Sequence, residues 1–141
     1  MTIEEVKSYL NQAYYIDKRV ELLQDELLLL ESKLEKCSPS YTTTRCGSSQ
    51  PSFEIVLDKV MHYRERLNSE IDNLVDTKKS IHQFIECNLS DNTQKIVLLK
   101  RYINYQRYED IALDINYSTR QVINIANKGI KNISLNFTKK V

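Results

Sequence analysis

Eight side chains that can bond to base edges and phosphates crowd into a short stretch of this sequence: Ser118, Thr119, Arg120, Gln121, Asn124, Asn127, Lys128 and Lys131. Arg offers a guanidinium fork to guanine O6 and N7, Asn pairs with adenine N6 and N7, and Lys neutralises phosphates. Ser118 followed three residues later by Gln121 is a capping box, so a helix is expected to begin there with its amide-rich end open to a phosphate. With Val122 and Ile125 turned inward, Thr119, Arg120, Asn124 and Asn127 fall on the outward face, flanked by Lys128 and Lys131. Ile123 suits a thymine methyl or a neighbouring helix. From Ile115 onward the chain carries Arg120, Lys128, Lys131, Lys139 and Lys140 and no acid. Double-stranded DNA is the partner this chemistry fits.

Such a helix needs a partner to hold it, and the residues before it supply one. The segment 108–127 has the spacing of a helix-turn-helix. Ile111 and Ile115 face the core, and Ala112 is small where a second helix crosses. Asn116 sits where the backbone must turn left-handed, a conformation Asn tolerates best after Gly. Tyr117 is expected to turn inward after it. Upstream, Ser90 or Asp91 caps another helix, Gln94 completes a capping box with Asp91, and Ile96, Leu99 and Ile103 form its buried face.

The front of the chain is built differently. Ala13, Ile16, Val20, Leu23, Leu27, Leu30 and Leu34 follow a 3-4 rhythm, a heptad seam. Ile3, Val6 and Leu10 join it through a short step at Ala13–Ile16, a stammer. Phe53, Val56, Val60, Tyr63, Leu67, Leu74, Ile81 and Phe84 set a second stripe, opened by Ser52 as a cap. Between the two lies a Ser/Thr-rich loop, 37–51, holding both prolines. The expected architecture is all-α. Residues 1–88 form a helical hairpin with arms at about 2–36 and 52–88, and residues 89–141 form the helix-turn-helix domain. A hairpin this thin leaves Leu22, Leu28, Leu29, Leu57 and Val75 poorly covered, which points to a homo-oligomer, with a dimer favoured over a closed three-helix bundle.

Composition narrows the alternatives. The 141 residues include only 2 Gly and 2 Pro, too few for a sandwich, a barrel or a Gly-rich phosphate loop. The net charge of +1 conceals a division, −4 over residues 1–88 and +5 over residues 89–141. Cys37, Cys46 and Cys87 match no zinc spacing and read as reduced bystanders. His62 and His82 form no metal-binding pair. Asp110 and Asp114, one helical turn apart, read as solvated and not as an acid–base pair. No enzyme, metal or cofactor is expected. The longest apolar run, Leu27 to Leu30, is far short of a bilayer span, and the start of the chain is acidic where a signal peptide would be basic, so a cytoplasmic protein without membrane attachment is expected.

Arg101-Tyr102-Ile103, then Tyr108-Glu109-Asp110-Ile111-Ala112, then Tyr117-Ser118-Thr119-Arg120-Gln121-Val122 resemble the C-terminal module of phage late-gene transcriptional activators of Gram-positive bacteria, the RinA/ArpU type. That module is itself similar to region 4 of sigma factors. The N-terminal half is similar as well, with two helical arms around a Ser/Thr-rich loop carrying Gly47-Ser48. The specific motifs lie between about 95 and 130. One departure is Tyr108, where the family often has Trp. The resemblance implies a phage or prophage regulator of late-gene promoters with a sigma region 4-like reader and host RNA polymerase as a further partner. Two other readings fit the same elements: a small terminase-like DNA-packaging subunit, and a protein-interaction module that does not bind DNA.

Overall fold

The computed structural model describes residues 1–36 and 53–140; the loop 37–51, the Ser52 cap, Cys37 and Cys46 lie outside them. The described residues are all-α: α1 (Ile3–Leu10), α2 (Gln12–Lys36), α3 (Phe53–Asn88), α4 (Asn92–Tyr102), α5 (Tyr108–Ile115) and α6 (Thr119–Lys139). The two stripes become long helices, of 25 and 36 residues. The first arm is divided at Asn11, immediately before the stammer. There Asn11 still donates to Lys7 O (3.0 Å), but the bond from Tyr15 N–H to Asn11 O is stretched to 3.4 Å. A local slackening of the ladder thus absorbs the phase error that two successive three-residue steps create. Thr2 opens α1 with a capping box, its hydroxyl accepting from Glu5 N–H and its own N–H donating to the Glu5 carboxylate.

The chain forms two compact units, one of Met1–Ile16 with everything from Leu74 onward, the other of Asp17–Asn73. This division differs from the one expected at 88/89. Leu89 and the α3 residues Ile81 and Ile85 share a core with Val6 and Leu10 of α1, Val97 and Leu98 of α4, Ile111 of α5 and Ile130 and Ile133 of α6. Burying these side chains is worth about 1.5–3 kcal/mol each, so the end of a helix at Asn88 is a weaker boundary than the edge of the core.

In the first unit α6 is the central support, packing on α1, α4 and α5. Val122, Ala126, Gly129, Ile130 and Ile133 make its buried stripe. At Gly129 α4 approaches closely: a Cβ there would lie 3.1 Å from Leu98 Cδ1 and 3.5 Å from Gln94 Cβ. That approach fixes which face of α4 is buried. Gln94, Val97, Leu98 and Tyr102 turn inward, while Ile96 is 44% exposed and Leu99 and Ile103 are half-buried, so the expected 96/99/103 face is the flank and not the centre. The Asp91 capping box does not form either. Asp91 caps Thr93 N–H at 3.0 Å, and Gln94 is drawn into the core, accepting from Asn132 of α6 at 3.1 Å. A second amide, Asn136, donates to Asn88 O at 2.7 Å and pins the end of α3.

In the second unit α2 and α3 run antiparallel. Glu31 meets Arg64 at 2.9 Å and Arg19 meets Glu70 at 3.7 Å, so rising numbers on one helix face falling numbers on the other. Leu27, Val56 and Val60 are the buried centre, with Leu30, Leu34, Tyr63 and Leu67 packed around them. Leu22, Leu28, Leu29 and Leu57 stay exposed, as does Val75 in the first unit.

Candidate nucleic-acid interface

The geometry begins at the turn. α5 ends at Ile115, and Asn116 adopts the left-handed conformation expected for it (φ 59°, ψ 39°). This lets Tyr117 N–H reach back to Ala112 O at 3.0 Å, closing the last turn of α5. Ser118 then caps α6. Its hydroxyl accepts from Gln121 N–H (3.2 Å), and Gln121 Oε1 accepts from both the N–H (3.0 Å) and the hydroxyl (3.1 Å) of Ser118. Ala112, 5% exposed, leaves room for the crossing, and Val122 on the facing helix is fully buried. Tyr117 does not turn inward: it is 42% exposed beside the cap, because the turn is already closed by backbone bonds and the core by Ile111 and Val122.

The α4–α5 connection holds this pair from behind. Arg101 stacks on the Tyr108 ring at 4.4 Å and donates to Gln106 O at 3.2 Å. Lys100 meets Asp114 at 3.2 Å, and Arg107 meets Asp110 at 3.4 Å. Tyr105 takes a positive φ of 57°, unusual for an aromatic residue, and is held there by its hydroxyl donating to Ala13 O at 3.1 Å and by Lys78 Nζ 5.0 Å above its ring. Burial pushes the Tyr102 phenol up to about 12; the neighbouring Tyr108 adds to the rise and Arg101 opposes it. Tyr102 therefore stays neutral in the core.

On this support α6 exposes Arg120, Asn124, Asn127 and Lys131, which at steps of four, three and four residues form one line along the helix, with Lys128 beside it. At 1.5 Å per residue the line is about 16 Å long, the scale of a major groove about 12 Å wide. Among the described residues no acid pairs with Arg120, Lys128 or Lys131, whereas the acids Asp110 and Asp114 on α5 are already engaged. The eight residues singled out in the sequence therefore divide. Arg120, Asn124, Asn127, Lys128 and Lys131 share the outward face. Ser118 and Gln121 are exposed but occupied with each other in the cap, and Thr119 is half-buried. Spacing did not pick out Tyr117 as exposed; like Ile123, it lies open near this face.

None of the family models, curated proteins or solved structures compared with this chain matches it. Among the described residues no group of three or more His, Cys, Asp or Glu is placed to hold a metal ion, and no helix is long and apolar enough to cross a membrane. Cys87 is an exposed free thiol.

Proposed function

We propose that the protein is a sequence-specific DNA-binding transcriptional regulator of phage or prophage origin that acts in the cytoplasm on late-gene promoters. The observation that carries this reading is the line Arg120–Asn124–Asn127–Lys131, free of acid partners among the described residues and set on a helix whose opposite face is core. In this reading α6 enters the major groove, Arg120 and the two Asn bond base edges, and Lys128 and Lys131 meet phosphates. Ser118 and Gln121 act as positioning residues, leaving the remaining amides of the α6 N-terminus to a phosphate. The phage origin, the late-gene promoters and the second partner, host RNA polymerase, rest on the resemblance to late-gene activators. The active species is a homodimer.

Selection from a randomised duplex pool, with binding of the winning sequence followed across salt concentrations, tests the reading. Arg120→Ala is expected to weaken specific binding by about 1–3 kcal/mol and to relax one base position. Lys131→Ala should weaken all sequences alike and lower the salt slope by about one. Wild-type behaviour of Arg120→Ala on both the selected and a scrambled duplex would remove α6 from the groove. Absence of binding at low salt would overturn DNA reading by this protein.

A further inference from the structure

We infer that two copies of the chain dimerise through one flank of the α2–α3 pair, with α2 lying antiparallel on the α2 of its partner about a two-fold axis between Leu29 and Leu30. A groove of about 460 Å³ runs along this flank, bordered by Glu26, Leu29, Leu30, Lys33, Lys59 and Tyr63. Leu29, on its border, is 66% exposed. A large aliphatic side chain on a helix already seated on another helix is costly to leave in water.

Charge selects the occupant. Glu26 and Lys33 stand seven residues apart, about 10.5 Å along the helix, too far to bond each other. Neither has an opposite charge three or four residues away on α2, and among the described residues neither forms an ion pair. A helix that carries an acid, a leucine and a base in this order is complementary to its own reversed copy. Rotation about the proposed axis sets Glu26 opposite the partner's Lys33, Lys33 opposite the partner's Glu26, and Leu29 close to its own equivalent. Such an isologous contact closes at two copies.

The inference rests on the homodimer named in the proposed function and is independent of its DNA-binding part. Its test is sedimentation equilibrium of the full chain, with helicity checked by circular dichroism. The wild type should be a dimer of 16.6 kDa chains. Glu26→Lys and Lys33→Glu should each weaken dimerisation at least tenfold. An equimolar mixture of the two variants, or both changes in one chain, should restore the dimer, because every contact then again joins opposite charges. Leu29→Asp, at a site exposed enough to leave the fold alone, should give monomers. A wild type that is monomeric at all concentrations would overturn both this inference and the dimer it rests on. A dimer unaffected by the single changes and by Leu29→Asp would overturn this face while leaving dimerisation standing. Dissociation without recovery in the mixture would overturn the antiparallel pairing.

Discussion

The two compact units solve the same problem, covering apolar helix faces, with different amounts of material. In the unit holding α4, α5 and α6, several helices converge, and Leu10, Ile81, Leu98, Ile111, Val122 and Ile133 reach essentially zero exposure. In the unit Asp17–Asn73 the described residues form two helices packed on each other. Their seam is buried, yet most of its α2 residues keep 6–8% exposure, and Leu22, Leu28 and Leu29 remain in solvent. The contrast teaches that a regular heptad pattern secures pairing but not closure. Closure requires a third surface, which the first unit has within the chain.

The strongest way to break this contrast is to cut side chains from both cores. Ile130→Ala should destabilise the protein by about 3–4 kcal/mol, because its closed surroundings leave a cavity, whereas Leu27→Ala should cost about 2 kcal/mol at a seam that water already reaches. Urea unfolding of the full chain gives both values. Equal losses would mean that the seam is as closed as the core.

Tight-turn chemistry sharpens the contrast next. Among the described residues both positive-φ positions, Tyr105 and Asn116, belong to the first unit. Asn116→Val should cost about 1–2 kcal/mol, since a β-branched residue resists the left-handed conformation, while Asn116→Gly should stay within about 0.5 kcal/mol of wild type. A Val variant as stable as wild type would show that the turn does not depend on this conformation.

A further difference lies in alkali. The Tyr102 phenol is raised in the fold from 10.0 to about 12, so the folded chain holds a proton that the unfolded chain releases. Its contribution is present below pH 10 and is lost as the pH rises through about 12. Thermal unfolding of Tyr102→Phe should therefore decline less over this window than that of the wild type. Parallel declines would mean that the phenol is not shielded.

Much of this was legible in the sequence, for identifiable reasons. The seam from Ala13 to Leu34 is buried or half-buried at every expected position, because a period of 3.5 has one solution on a helix. Asn116 was legible because few residue types tolerate its conformation. The face of α4 was not: Ile96, Leu99 and Ile103 compete with Val97, Leu98 and Tyr102 for the inward position, and the choice was made by Gly129, more than twenty-five residues away. Gln94 misled for the same reason, since a core amide on α6 outbid its local cap. Thr2 with Glu5 is the reverse case, a capping box plain in the sequence and not used. In the candidate site the spacing gave the Ser118–Gln121 cap and the outward line from Arg120 to Asn127, but it set Thr119 on that line, where the structure half-buries it, and turned Tyr117 inward, where it is exposed.

The separation of the two sides of α6 has a consequence for how such a protein changes over generations. Arg120, Asn124, Asn127, Lys128 and Lys131 share no position with Val122, Ala126, Gly129, Ile130 and Ile133, so a substitution on one side leaves the other intact. Whatever that outer line addresses can be rewritten by single codon changes at little risk to folding, while the inner line stays under constant constraint. Divergent descendants of this chain should differ most along the first line and least along the second.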